Sequence, residues 1–385
     1  MKPVITDNDE REGLPSASII ERLALCPGSR MLSKGLPEIL SPEMKRYAES
    51  GDRVHLYCEA PDFIDLSEWP DELETAKRCI EIRDKLFDTV FLRPEGVVVS
   101  KEKRMWLHGP SAPSLRDHKK LFSGKVDYAA HNDEAILVVD YKSGRGDQES
   151  ASSNLQLRSL LVLKWVELGR KHPKGYTAIV QPLVSSKPEI CEYNSHQLQE
   201  AETELRQILE LSSKSHAPIV AGEKQCRFCP ARLKCPAAAE VLQQIANEDI
   251  TKLLGIDPKD MATLLDRCDT AETIIKAARS HAKAHLKMTP GCIPGWTLTP
   301  NAPTRHIEDS EGAFNAMSRF GITSEIFLKQ CVSVKIGGLE KAAKEIATKR
   351  GDKCTALMAK EIVNTNCEKF ITEKTKEPSL ERVKE

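Results

Sequence analysis

The sequence predicts a mixed α/β fold, in the α+β sense of helices set before and after one mixed sheet, followed by a mostly helical C-terminal domain. Three observations predict it. Helical periodicity dominates the first ninety residues, β-rich apolar runs follow between residues 96 and 184, and helical periodicity returns beyond residue 235.

Residues 16–25 have the spacing of a short amphipathic helix, as do residues 42–60 and 70–90, the last with Asp71 and Glu72 in its first turn, where the helix dipole favours negative charge. Three strand-like runs come next: GVVVSKEKRMWLHG (96–109), KLFSGKVDYAA (120–130) and AILVVDYKSG (135–144), with the loop GPSAPSLRDHK between the first two. Ile136 to Val139 is an unbroken β-rich run of the kind buried in the middle of a sheet. Residues 152–171 are helical in period and GYTAIVQPLV (175–184) reads as a further strand. Residues 236–255, 258–287 and much of 309–365 are helical, with a short strand expected at CIPGWTLTP (292–300). We expect a core of residues 1–245, a helical domain of 246–370 with the boundary near 245–257, and a charged flexible tail at 371–385.

A chain of 385 residues is longer than one core needs, which agrees with two folding units. Its 56 Lys and Arg balance 57 Asp and Glu, so any nucleic-acid contact must come from a local patch. No apolar stretch approaches the roughly 18–20 residues of a membrane span, and the first residues lack the apolar segment of a secretory signal. A cytoplasmic protein without membrane contact is expected.

Twelve cysteines in a reducing compartment direct attention to metal chemistry rather than disulfides. Most are scattered singly, but Cys226, Cys229 and Cys235 have C-x2-C-x5-C spacing. A tetrahedral site needs a fourth ligand, for which Cys26, at the end of the first helix and before Pro27-Gly28, is the candidate. Zinc and an iron-sulphur cluster both suit four thiolates.

The centre of the sequence holds the chemistry. Asp127 stands on one predicted strand and Asp140 and Lys142 stand two residues apart at the polar end of the next, so the latter two share a face. Carboxylates on adjacent strands hold Mg2+ or Mn2+ with water positions open, and hydrolysis of a phosphodiester needs such a cation to polarise the phosphoryl oxygen and acidify the attacking water. Lys142 is placed to orient that water or stabilise charge on the phosphate, and the peptide carbonyl of Tyr141 to complete the metal shell. His55 on the second helix is a candidate extra ligand, and Gln156 at the start of the following helix a candidate partner for the lysine or a phosphate.

The order His, Asp, Asp-x-Lys, Gln and cysteine triplet resembles the RecB-type nucleases of the PD-(D/E)xK superfamily, in the branch with a four-cysteine iron-sulphur cluster. The resemblance runs from Cys26 to Cys235. It implies a PD-(D/E)xK core, a [4Fe-4S] cluster on Cys26, Cys226, Cys229 and Cys235, metal binding by His55, Asp127, Asp140 and the Tyr141 carbonyl, and catalytic roles for Asp127, Asp140, Lys142 and Gln156. More narrowly, CPGS near the start, NLQL after the lysine strand and IPGWTL further on resemble a phage and prophage protein family associated with recombination exonucleases. One position departs from the pattern: the tyrosine expected four residues after the glutamine is Leu160.

Lys101, Lys103, Arg104, Arg116, Lys119, Lys120 and Lys125 outnumber Glu102 and Asp117 on the strands and loop leading to Asp127. They form the expected phosphate-contacting patch, with Trp106 placed to stack on an unpaired base. No base-reading element is visible. The expectation is therefore a Mg2+- or Mn2+-dependent, sequence-independent DNA exonuclease that acts on duplex ends for an annealing or recombination partner, with oligomerisation open. An iron-sulphur-stabilised DNA-end-binding module with little activity is the alternative.

Overall fold

A computed structural model of the chain describes residues 13–36, 42–109, 119–146, 149–248, 256–298, 336–350 and 354–367, together with Arg11 and scattered residues between 312 and 328. The chain divides into two compact units, Met1–Leu298 and Thr299–Glu385. The boundary expected near 245–257 falls within the first unit, and residues 249–255 lie outside the described residues, as does the tail at 371–385.

The first unit is built on a five-stranded sheet in the order β1-β2-β3-β4-β5. Its strands are β1 (Val98–His108), β2 (Lys120–His131), β3 (Ala135–Tyr141), β4 (Lys174–Val180) and β5 (Glu189–Asn194). Only β3 and β4 run parallel, because a helix crosses between them; the other neighbours are antiparallel. Every residue of β3 is buried, as the apolar run Ile136–Val139 requires of a central strand. Strand β5 was not visible in the sequence. It lies at the sheet edge, where four of its six residues are exposed and the apolar signal is diluted.

Helices cover both faces. Helices α1 (Ile20–Leu25) and α2 (Ser29–Leu32) lead to α3 (Pro42–Glu59) and α4 (Pro70–Val90), which pack on one face with Val54, Cys58, Cys79 and Ile82 against Leu137, Val139 and Tyr141. On the other face α5 (Leu155–Glu167) and α6 (Ser195–Ser213) pack Leu157, Leu161 and Leu205 against Phe122, Ile136 and Val138. The Asn154 side chain caps α5 by accepting the Leu157 amide at 2.9 Å, and Asn194 and Gln197 form a reciprocal capping box at the start of α6. Gly124 of β2 is required by this packing. A Cβ there would meet Leu160 and Leu163 of α5 at 2.5 and 2.8 Å.

Among the described residues the unit also has three helices beyond the sheet, α7 (Glu223–Arg227), α8 (Pro236–Ala246) and α9 (Pro258–Met288), with α9 packed on α7 and α8. The strand expected at 292–300 does not form over its described residues, 292–298. Pro294 is followed by Gly295 in the left-handed region at φ 76°, which turns the chain instead. In the second unit, α10 (Ile336–Lys349) and α11 (Ala356–Cys367) pack together. No described helix is long and apolar enough to cross a membrane.

Candidate metal centre and cysteine cluster

The register of β2 and β3 pairs Tyr128 with Val139, and one further step sets Asp127 opposite Asp140. Backbone pairing stops there. The Asp127 carboxylate takes its place by accepting the Tyr141 amide at 2.8 Å. The alternation of β2 also breaks at this point, since Val126 packs under α5 while Tyr128 packs under α3 and α4.

His55 reaches this spot from α3. Its Nε2–H donates to the Tyr141 carbonyl at 3.2 Å, and its Nδ1 lies 3.4 Å from Asp127 and 3.6 Å from Glu102. Ligand atoms of His55, Glu102 and Asp127 all lie within 4.8 Å of one another. Burial alone would favour a neutral ring, but the two carboxylates push the His55 pKa up to about 10. The imidazolium thus supplies the positive charge that these poorly solvated carboxylates demand.

Glu102 is the residue that the sequence did not reveal. It sits among lysines on β1, facing Asp127 across the β1–β2 pair, and its backbone is left-handed at φ 48°, a conformation that L residues with a side chain seldom adopt. Lys125 pairs with its second oxygen at 2.5 Å. Burial opposes ionisation of Glu102, but His55 and Lys125 outweigh it and hold its carboxyl below the ordinary range. Pairing the two predicted strands would have exposed it, but their register depends on the loop at 110–118, which carries no pattern of its own.

Buried Asp140 and half-buried Lys142 form an ion pair at 2.7 Å. Burial pushes the Asp140 carboxyl above its usual range and Asp127 adds to this, while the Lys142 ammonium pulls the other way. Burial would lower the Lys142 pKa, but Asp140 and Asp127 raise it, so the lysine stays charged. Gln156 is half-buried in the first turn of α5 and makes no hydrogen bond to these groups. Leu160, where the resemblance expected tyrosine, is buried beneath Gly124.

The basic patch is partly committed within the protein. Lys101 donates to the last carbonyls of α3 at Cys58 and Glu59, Lys103 pairs with Glu167 at 2.6 Å, and Lys125 with Glu102. Arg104 donates to Ser123, and Lys120 covers the half-buried Trp106 ring at 4.2 Å. Lys119 is exposed, and Arg116 lies outside the described residues.

The cysteines meet on the far side of α1. Gly28 N–H donates to the Pro218 carbonyl at 2.8 Å, an approach open only to glycine because a Cβ would meet the Ala217 and Pro218 carbonyls at 2.7 and 2.9 Å. This draws Cys26 against the 217–229 segment, where its sulfur accepts the Val220 amide at 3.2 Å. Cys26, Cys226 and Cys229 are buried and Cys235 half-buried, all as free thiols. Burial raises the Cys226 thiol, and the neighbouring Cys229, Cys235 and Cys26 sulfurs raise it further. Among the described residues, no three of these sulfurs lie within 4.8 Å of one another.

A family model described as "Protein of unknown function (DUF2800)" matches residues 114–376, more than half of the chain. The chain belongs to the DUF2800 family. The match spans Asp127, Asp140, Lys142, Gln156 and the Cys226 triplet of this DUF2800 protein, while Cys26, His55 and Glu102 precede it. No curated protein matches the chain. Among solved structures, SSO0001 is 14% identical with a TM-score of 0.27, over 59% of this chain and 88% of that one. An alkaline exonuclease (LHK-Exo) from Laribacter hongkongensis is 11% identical with a TM-score of 0.23, over 52% and 89%. The same exonuclease in complex with dAMP gives 10%, 0.21, 52% and 89%.

Proposed function

We propose that this DUF2800 protein is a metal-dependent DNA nuclease. One observation carries the reading: Asp127, Glu102 and His55 converge beside the Tyr141 carbonyl, next to the Asp140–Lys142 ion pair. The donor set fits a divalent cation, because two carboxylates and an imidazole within 4.8 Å otherwise need a proton on the ring to balance them. His55, Glu102, Asp127, Asp140 and the Tyr141 carbonyl would hold Mg2+ or Mn2+. When bound, such an ion polarises the phosphodiester and lowers the pKa of an attacking water.

The protein's own groups do the rest. Lys142, kept charged by Asp140, stands where it can orient the attacking water and stabilise charge gathering on the phosphate. Asp127, fixed by the Tyr141 amide, holds the ends of β2 and β3 at one separation. His55 positions the Tyr141 carbonyl and must give up its proton to become a ligand. Gln156 at the start of α5 is available to hold a phosphate oxygen.

The four cysteines fit a thiolate-bound group, since burial and the neighbouring sulfurs raise the Cys226 thiol, a cost that a bound cation would relieve. Four thiolates suit either zinc or a [4Fe-4S] cluster, and the order of the motifs favours the cluster. Exonucleolytic resection of duplex ends for an annealing or recombination partner is the finer form of the reading, supported by the order of the motifs.

The test is incubation of the full chain with end-labelled duplex DNA and Mg2+ or Mn2+. Degradation should need the cation and be abolished by Asp140→Ala or Lys142→Ala. Cation-dependent degradation that survives both changes would sink the proposed site, and DNA binding without degradation by the parent would favour an end-binding module.

A further inference from the structure

The sequence contains no acidic residue from Thr273 to Ile307, a stretch that includes the C-terminal half of α9. Within that half, Lys276, Arg279, Lys283 and Lys287 recur at spacings of three and four, which places them along one side of the helix. All four are exposed, whereas Ile274, Ala277 and Leu286 of the same helix are buried. The stripe therefore faces solvent. Lys276 pairs with Glu272 at 2.8 Å, but Arg279, Lys283 and Lys287 form no ion pair among the described residues.

A helix dipole accounts for only part of this pattern. Cations near a helix C-terminus are favoured within the last turn, which covers Lys287 but not Lys276 or Arg279. Nor does solubility require it, because the chain as a whole is almost neutral with a formal charge of -1. Cations concentrated on one line of a neutral protein mark a surface for a polyanion.

We propose that the C-terminal half of α9 is a docking surface for the phosphate backbone of duplex DNA. This rests on the nuclease reading for the identity of the polyanion. At a rise of about 1.5 Å per residue the stripe from Lys276 to Lys287 is about 16 Å long. One strand of a duplex presents about five phosphates in that length. The stripe offers point charges on flexible stems with no fork-like pairing surface apart from Arg279, so it holds the backbone without reading bases. It also gives a role to the first long helix beyond the cysteine triplet, which packs directly on α7, the helix that carries Cys226.

The test measures binding of a fluorescently labelled duplex by anisotropy across a salt series, using the full chain carrying Asp140→Asn, in EDTA, so that no cleavage intervenes. Replacing Lys276, Arg279, Lys283 and Lys287 together by glutamine, a good helix former, should weaken binding at least tenfold at about 0.1 M salt and make the slope of log K against log salt shallower by about 3.6. Replacing only Lys283 and Lys287 should change the slope by about two, in proportion to the charges removed. A control that replaces the exposed Lys77 and Lys85 of α4 removes the same net charge and should leave the slope unchanged. The proposal is overturned if the stripe variants keep the parental slope, or if the control changes it equally. A parent that binds no DNA overturns the nuclease reading as well, so the two failures are distinct.

Discussion

The Asp127 carboxylate accepts the Tyr141 amide at 2.8 Å where backbone pairing between β2 and β3 ends. Asparagine can make the same contact through its amide oxygen, whereas alanine leaves a buried N–H with no partner. Asp127→Asn should therefore denature in urea close to the parent, and Asp127→Ala should lose about 1–3 kcal/mol. Both should lose Mn2+ binding, so that equal stability of the two variants would contradict the structural role of this carboxylate.

Glu102 adopts its left-handed backbone at φ 48° in order to face Asp127 and His55. Relieving that conformation and removing the charge are separable. Glu102→Gln should lower Mn2+ affinity by at least the ~10-fold that even an outer-shell partner commands, measured by calorimetry or by Mn2+ resonance. Glu102→Gly should lower it similarly but gain some stability, of order 1 kcal/mol, from release of the backbone constraint.

Glu202 of α6 is held by Arg170 and by Arg206, each at 2.8 Å, and these contacts depress its carboxyl below the ordinary value of 4.5, with Arg170 the largest cause. A depressed folded-state pKa means that the unfolded chain takes up the proton first as pH falls. The stabilisation is complete above about pH 4.5 and disappears as pH drops through the folded-state value. Urea melts of the parent and Glu202→Gln should differ most at neutral pH and converge as pH falls through the depressed folded-state value, with a constant difference across the range as the contrary outcome.

Gly28 brings Cys26 to the 217–229 segment through contacts that no other residue allows. Gly28→Ala meets two backbone carbonyls as well as the Ile219 side chain, and should cost about 1–3 kcal/mol. It should also lower the iron content of anaerobically prepared protein, which is expected to be brown. A variant with parental iron content and stability would show that the two segments meet without this glycine.

What could be read from the sequence depended on how local the information was. Ile136–Val139 announced its own burial, and Asp140 with Lys142 declared a shared face because two residues separate them. His55 was reachable because its helix was strongly periodic. Glu102 was not, since an acid between Lys101 and Lys103 looks like ordinary strand surface until β1 is laid against β2. The internal contacts of the lysines were hidden for the same reason. Lys101, Lys103 and Lys125 read as phosphate contacts, yet the fold engages them with α3, Glu167 and Glu102. The strand expected at 292–300 was an error of another kind, in which β-rich composition was overruled by the turn at Pro294-Gly295. Leu160 is explained only by its partner: Gly124 leaves room for the leucine to press against β2, and a larger ring would have to displace the strand.

The contact between Gly28 and Pro218 also sets a timetable. The first helix is made early but has no finished place to dock until the segment near residue 220 has followed it. At a synthesis rate of about 5–20 residues per second, that interval is roughly 10–40 s. All five strands of the sheet emerge within it. The newborn chain can therefore lay down its whole sheet before the Gly28–Pro218 contact forms, and Cys26 stays apart from Val220 throughout the wait.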